Sequence, residues 1–322
     1  MTLLLREEDV RAVLSMEACL AAVEEAFRQR AGGQAVVRQR TRMPMPGGLQ
    51  TVMGGWVGGP INAYGLKVYG GPRKPGVPAT GMVVLLYDGE AGRLLAVVTA
   101  DRLGQMRTGA ASGVATKYMA RLDATTVGII GTGYQAETQL EAVCRVRPIR
   151  QVWAYSRTPE KREGFAQRMA QQLAIPVTAV PSAEAAVREA DIVVTITSSR
   201  QPVMEGAWLA EGTHINAAGT NHYLRQEVDG EAIRRAALVV VDDLPQARAE
   251  CGELMAAVER GALLWEQVHE LADVVVGRVP GRPDARAITL FESQGIGIED
   301  VAAARVIYEA ARGRGLGQEV PL

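Results

Sequence analysis

The sequence predicts an α/β chain in which a doubly wound parallel sheet accompanies a β-rich α+β domain. Three observations carry this. Beyond residue 125, short apolar runs at 151–155, 177–180, 191–197, 214–218 and 238–242 alternate with helical patterns such as 183–190, the arrangement of parallel strands joined by helical crossovers. Before residue 100, strand-like runs follow one another through Gly- and Pro-rich loops, which marks a β-rich region. Between these regions, residues 125–136 read as a buried β-branched strand that breaks into a glycine turn and opens a helix.

The first helix is expected to begin after Ser15, a good N-cap, because Met16, Leu20, Val23 and Phe27 share one face and Gly32-Gly33 can stop it. Strands are expected at 36–45, 49–52 and 64–69, then a hairpin of 81–87 and 93–99 around Asp88-Gly89. A helix over 103–120 offers a smooth side of small residues (Gly109, Ala110, Ser112, Gly113) and leads into the second domain. There, 137–146 is helical in pattern and 151–155 returns as a strand, completing a βαβ unit. A last helix, 298–312, is expected to cross back to the first domain, so the domains are read as 1–118 plus 298–322, and 119–297.

Composition excludes several functions. Lys plus Arg number 35 against 36 Asp plus Glu, a net charge of -1, which offers no field for nucleic acid or an anionic membrane. The 3 cysteines, Cys19, Cys144 and Cys251, are dispersed and odd in number, which fits neither a disulfide framework nor a zinc set and points to a reducing, cytoplasmic setting. His214, His222 and His269 lack ligand spacing, so no metal is expected. No run approaches the roughly 18 apolar residues of a membrane span.

The glycine turn implies a Rossmann-type dinucleotide site. Gly131 allows a tight turn, Gly133 lets backbone approach a pyrophosphate, Ala136 keeps helix and strand close, and Tyr134 and Gln135 open the helix whose N-terminus favours phosphate. An NAD-preferring site carries an acid at the end of the second strand; here stand Ser156, Arg157 and Thr158, with Lys161 and Arg162 one turn on. Guanidinium and hydroxyls suit a 2'-phosphate, so NADP(H) is preferred, with NAD(H) possible.

Several segments occur together in order: Gly65-Leu66-Lys67-Val68, Met106 to Ser112, the Gly131 turn, His214 to Gly219, and Ser293 to Asp300. With these the chain closely resembles the ornithine cyclodeaminase and mu-crystallin family across nearly its whole length. The resemblance implies a homodimer joined through the β-rich substrate domains, an active site in the cleft facing the Rossmann domain, and further cofactor contacts at Thr108, Thr197, Ala218, Gly219, Ser293 and Gly295. It also matches Lys67 to the family's active-site lysine.

Residue chemistry is read beside it. An α-carboxylate needs a fixed cation, and the planar fork of Arg binds both oxygens. Arg40 and Arg107 are the candidates, with Arg42 as the alternative to Arg40, since Arg38, Arg40 and Arg42 share one face of a strand. Lys67 is expected opposite the apolar face of Leu66 and Val68, with its pKa lowered by Arg40 and Arg107 so that it exchanges protons near neutrality. Asn221 stands where ornithine cyclodeaminases carry an aspartate; an amide can orient a substrate amine but cannot be a base.

The activity expected is NAD(P)H-dependent reduction of 2-imino carboxylates to L-amino acids, the imine being a cyclic ketimine or one formed from a 2-oxo acid and an amine. Alternatives are an amino-acid dehydrogenase, an ornithine cyclodeaminase, or an NADPH-dependent ligand-binding protein of the crystallin kind.

Overall fold

The computed structural model describes residues 1–72 and 81–322, and the chain divides into two compact units, Met1–Arg107 with Ile296–Leu322, and Thr108–Gly295. The expected divisions lay after residues 118 and 297; the first division in the structure falls inside a helix.

The chain opens with β1 (Thr2–Leu5), α1 (Glu7–Val13) and α2 (Met16–Ala31), then β2 (Ala35–Met45), β3 (Gly48–Val57), β4 (Ala63–Pro72), β5 (Val83–Asp88) and β6 (Leu94–Thr99). Ser15 caps α2, its Oγ accepting from Ala18 N at 3.2 Å, and Met16, Val23 and Phe27 are buried as the periodicity required. Strands β2 to β6 form an antiparallel meander, the β5–β6 turn running from Asp88 to Arg93. Strand β1, unforeseen from the sequence, adds parallel to β6.

A β-bulge corrects the expected face of β2. Arg38 pairs with Gly54 but Thr41 with Val52, so β2 carries one extra residue between them and the alternation of side chains resets. Arg38 is exposed opposite Gly54, Arg40 is buried at the bulge, and Arg42 lies across from Thr51, on the sheet face that also holds Met53 and Lys67. The three arginines therefore do not share one face.

The second unit begins within α3 (Asp101–Met119) and continues through β7 (Thr126–Ile130), α4 (Tyr134–Val146), β8 (Gln151–Tyr155), α5 (Pro159–Leu173), β9 (Val177–Ala179), α6 (Ala183–Val187), β10 (Ile192–Thr195) and β11 (His214–Ala217). It closes with α7 (Gly230–Arg235), β12 (Ala236–Val241), α8 (Leu244–Glu250), α9 (Gly252–Glu259), β13 (Val268–Glu270), α10 (Leu271–Val275) and β14 (Ile288–Glu292). Among the described residues its eight strands are ordered β13-β12-β14-β11-β10-β7-β8-β9, every pair parallel. Apolar side chains fill both faces, with Ile130, Val193, Ile215 and Leu290 on one and Val127, Ile129, Val152 and Val194 on the other. The chain winds outward from β7 through β8 and β9, then returns to lay β10 on the opposite side of β7. This reversal opens a crevice at the carboxyl ends of the strands, the place where doubly wound sheets bind ligands.

The chain then re-enters the first unit as α11 (Gly297–Gly313) and ends on β15 (Gln318–Val320), antiparallel to β1. Helix α11 packs on α2 and across β3 and β4. Its start rides on bare backbone: a Cβ on Gly297 would stand 2.4 Å from Gly54 O, and one on Gly55 2.8 Å from Ile298 N. These glycines let the first turn of α11 sit against the sheet, and every residue from Gly297 to Ala304 is buried, Glu299 and Asp300 included.

Candidate active site

Lys67 occupies the middle of β4, paired with Met53 of β3 on one side and Val84 of β5 on the other. Its environment inverts the expected pattern: Lys67 is only 4% exposed while its apolar neighbour Leu66 is 42% exposed. A lysine buried in a sheet requires a counter-charge, and α11 supplies it. Lys67 Nζ donates to Asp300 Oδ1 at 2.9 Å, and Arg107 Nε donates to the same oxygen at 3.0 Å. Arg107 Nη1 reaches Glu299 Oε2 at 2.8 Å.

The cluster keeps acceptor capacity in reserve. Arg40, Lys67 and Arg107, all buried, are gathered with two carboxylates, Glu299 and Asp300. Asp300 Oδ2 and Glu299 Oε1 have no hydrogen-bond partner among the described residues. Burial, helped by Arg107 and Arg40 and opposed by Asp300, lowers the Lys67 pKa to about 8. Burial likewise disfavours charge on Arg107, but Asp300 and Glu299 outweigh it and hold the guanidinium firmly protonated. Burial pushes the Glu299 carboxyl up, against the pull of Arg107. Such a site can hold a small anion beside an ammonium that gives up its proton near neutral pH.

In the second unit, the crevice at the switch point is a cavity of about 700 Å³ lined by Gly131, Thr132, Gly133, Tyr134, Gln135, Tyr155, Ser156, Arg157, Thr158, Lys161, Thr197 and Gly219 among others. Gly131 has φ +112°, where a Cβ would strike Ile196 O at 2.3 Å, so only glycine fits the turn. Gly133 caps α4, and a Cβ there would meet nothing within 4 Å; that open space and the N–H groups of the first helical turn suit a pyrophosphate. Thr132 Oγ1 donates to Ser156 Oγ at 2.8 Å, joining the turn to the end of β8.

Nine of the predicted cofactor residues line this cavity: Gly131, Gly133, Tyr134, Gln135, Ser156, Arg157, Thr158, Thr197 and Gly219. Thr108, Ala136, Ala218, Ser293 and Gly295 lie outside its lining. Ala136 is fully buried, Ala218 N is engaged by Thr195 O, and Gly295 N donates to Asp242 Oδ2 at 2.5 Å. Lys161 lines the cavity, whereas Arg162 turns to Ser156 O at 3.1 Å and lies over the Tyr155 ring. Ser198, Ser199 and Arg200, to which the sequence reading gave no role, complete the wall. Asn221 is exposed beyond β11. His214 and Asn216 are internal struts: His214 bonds Thr289 Oγ1 and Asn216 Oδ1, burial lowers its pKa to about 3, and Asn216 Nδ2 donates to Thr116 Oγ1 at 2.9 Å. Glu299 and Asp300 were seen in the sequence only as part of a motif.

The sequence pattern of the "Ornithine cyclodeaminase/mu-crystallin family" matches residues 1–315, a span that takes in both units. The chain belongs to this family. A Delta(1)-pyrroline-2-carboxylate reductase of Bacillus cereus is 35% identical over 324 residues, covering 99% of either chain. The structure of the Thermococcus litoralis Delta(1)-pyrroline-2-carboxylate reductase in complex with NADH and L-proline superimposes with a TM-score of 0.93 at 38% identity, over 99% of this chain and 100% of that one. An archaeal alanine dehydrogenase dimer with bound NAD gives a TM-score of 0.92 at 37% identity, over 100% and 99% of the two chains. Both of these structures hold a nicotinamide cofactor, NADH in one and NAD in the other, and among the described residues of this chain no helix is long and apolar enough to cross a membrane.

Proposed function

We propose that this chain is an NAD(P)H-dependent oxidoreductase acting on C–N bonds, which reduces 2-imino carboxylates to L-amino acids and in reverse oxidises the amino acid. The observation that carries the reading is the shared bond of Lys67 and Arg107 to one oxygen of Asp300, in a buried cluster that also includes Arg40. Arg107 and Arg40 hold the substrate carboxylate, the guanidinium fork giving it one orientation. Lys67 keeps the imine nitrogen protonated or supplies its proton, which makes the adjacent carbon far more electrophilic. The dinucleotide, when bound, supplies the hydride that this carbon accepts. The C=N bond thereby becomes an amine, and Lys67 is left neutral until it regains a proton from solvent.

The wall of the nucleotide cavity supports NADP(H) as the preferred cofactor, with NAD(H) also accepted. Arg157, Lys161 and Arg200 line it, and no Asp or Glu does so among the described residues, so a 2'-phosphate meets cations and no repelling acid. The relatives bound to NADH and NAD make the second cofactor a reasonable substrate of the same cavity. The alanine dehydrogenase dimer supports a homodimer here. Ornithine cyclodeamination is disfavoured because Asn221 has no basic lone pair to take a proton. A purely ligand-binding role is disfavoured because a buried Lys67 of lowered pKa gives a binder nothing that a neutral residue would not.

NADPH oxidation against cyclic ketimine carboxylates, and against pyruvate or glyoxylate with ammonia or methylamine, tests the reading. Turnover on rings alone assigns a ketimine reductase, and turnover on oxo acid plus amine assigns an amino-acid dehydrogenase or N-alkylating reductase. Silence on every imine, with cofactor bound, contradicts the proposal.

A further inference from the structure

Glu227 lies behind the nucleotide cavity, 1% exposed, and has no place in the chemistry proposed above. Its carboxylate serves two pieces of the cavity wall at once. Oε1 accepts from Thr197 N at 2.5 Å, and Oε2 accepts from Gly219 N at 2.7 Å and from Thr195 Oγ1 at 3.2 Å. Thr197 and Gly219 follow the neighbouring strands β10 and β11 and both line the cavity. Where parallel strands end, their last amides lose the ladder partner, and buried N–H groups left unpaired are costly. Here one side chain supplies both acceptors. The backbone of Glu227 is itself anchored, its carbonyl accepting from Val203 N at 2.8 Å and Met204 N at 3.1 Å.

We propose that Glu227 is a positioning residue of the nucleotide site: its carboxylate fixes the spacing of the Thr197 and Gly219 segments, and the dinucleotide binds tightly only while both amide bonds are made. This rests on reading the cavity as the dinucleotide site. The ionised form is favoured because a carboxylate presents a charged acceptor to both N–H groups; protonation leaves the hydroxyl oxygen only a weak acceptor, and an amide turns a donor NH2 toward one N–H.

The surroundings make that ionisation conditional. Glu253 of α9 accepts from Glu227 N at 3.0 Å, Glu292 stands at the end of β14, and Cys251 Sγ lies 3.9 Å from Glu253 Oε2 and 3.6 Å from Glu292 Oε2. Among the described residues no Lys or Arg pairs with any of these three acids. Burial raises the Glu227 pKa to about 7, with Glu253 adding to the rise, even though Thr197 and Gly219 favour the anion. Burial raises Glu253 and Glu292 as well, and Cys251 with them, so the acids behind Glu227 are held towards their neutral forms.

The test is the dissociation constant of NADH, whose pyrophosphate keeps constant charge over the range, measured by fluorescence on the full-length wild type and Glu227→Gln at about pH 6 and about pH 8. Wild type is expected to bind about tenfold more weakly at the lower pH, and Glu227→Gln to bind weakly and equally at both. A wild-type constant that does not change with pH overturns the proposal whether or not the variant folds. So does a folded Glu227→Gln, checked by thermal unfolding, that keeps the wild-type constants. Failure of the wild type to bind either NADH or NADPH at any pH overturns instead the dinucleotide reading on which the proposal rests.

Discussion

Lys67 Nζ and Asp300 Oδ1 lie 2.9 Å apart although 233 residues separate them, and Arg107 Nε holds the same oxygen at 3.0 Å. A strand lysine, a helix arginine and the first turn of the last helix thus share one atom. Each has a buried charge whose desolvation the others offset.

Removing the ammonium is the first consequence. Lys67→Met is expected to lower kcat for imine reduction by a factor on the order of a hundred or more, the usual contribution of a positioned proton donor. The dissociation constant for NADPH is expected to stay within about twofold, because the residue is assigned to substrate and not to cofactor. Steady-state rates and a fluorescence titration check the pair of values.

The pH dependence follows from a lysine whose folded pKa is lowered from 10.5 to about 8. Reduction needs the protonated form, so kcat/KM for the imine is expected to hold level below about pH 8 and fall above it; the reverse oxidation, which needs the neutral amine, is expected to rise through the same point. Stability has its own sign. Between about 8 and 10.5 the unfolded chain binds a proton that the native chain has released, so the lysine's contribution to stability rises with pH across that window and is least favourable below it. Rate profiles in both directions, and denaturant unfolding of wild type against Lys67→Met across the window, measure these limbs.

Asp300→Asn takes away the partner that holds the Lys67 pKa up. The alkaline limb of the reduction profile is expected to move to lower pH, and stability to drop by about 3 kcal/mol, the cost of leaving a buried cation without its counter-charge. Rate profiles and urea unfolding report the two effects separately.

Arg107→Lys keeps a charge but loses the fork that reaches Glu299 and Asp300 together. The KM for the imino acid is expected to rise by roughly tenfold or more while NADPH affinity is unchanged.

In the nucleotide cavity, Arg157→Ala is expected to weaken NADPH by about tenfold and leave NADH within about twofold, since a 2'-phosphate is the group that a guanidinium there would meet. Equal weakening of both cofactors would place Arg157 away from the phosphate.

Much of this was legible in the sequence because its signals are local. The strand-turn-helix at Gly131, the cap at Ser15 and the hairpin at Asp88 each need only a few adjacent residues, and the structure has all three. Strands β1, β13, β14 and β15 escaped; β14 is buried along its whole length and so shows no alternation, and it lies between β11 and β12, partners distant in sequence. The bulge in β2 escaped for a similar reason, since it shows only in the register with β3. Reading Lys67 as lying opposite an apolar face assumed that Leu66 would be inside; the burial of this strand is decided by α11 lying across it. Glu299 and Asp300 look like ordinary acids favouring a helix N-terminus. The available hint was that Ile298, Val301, Ala302, Ala303 and Ala304 leave that turn no polar face to share with water.

The most direct test is hydride transfer itself: a single turnover of an imino carboxylate with NADPH deuterated at the nicotinamide ring, followed in wild type and in Lys67→Met with cofactor saturating. The expected result is deuterium on the α-carbon of an L-amino acid, formed rapidly by wild type and on the order of a hundredfold more slowly by the variant. Label found anywhere else in the product, or equal rates for the two proteins, would contradict the assignment of Lys67 and its cluster to the reaction.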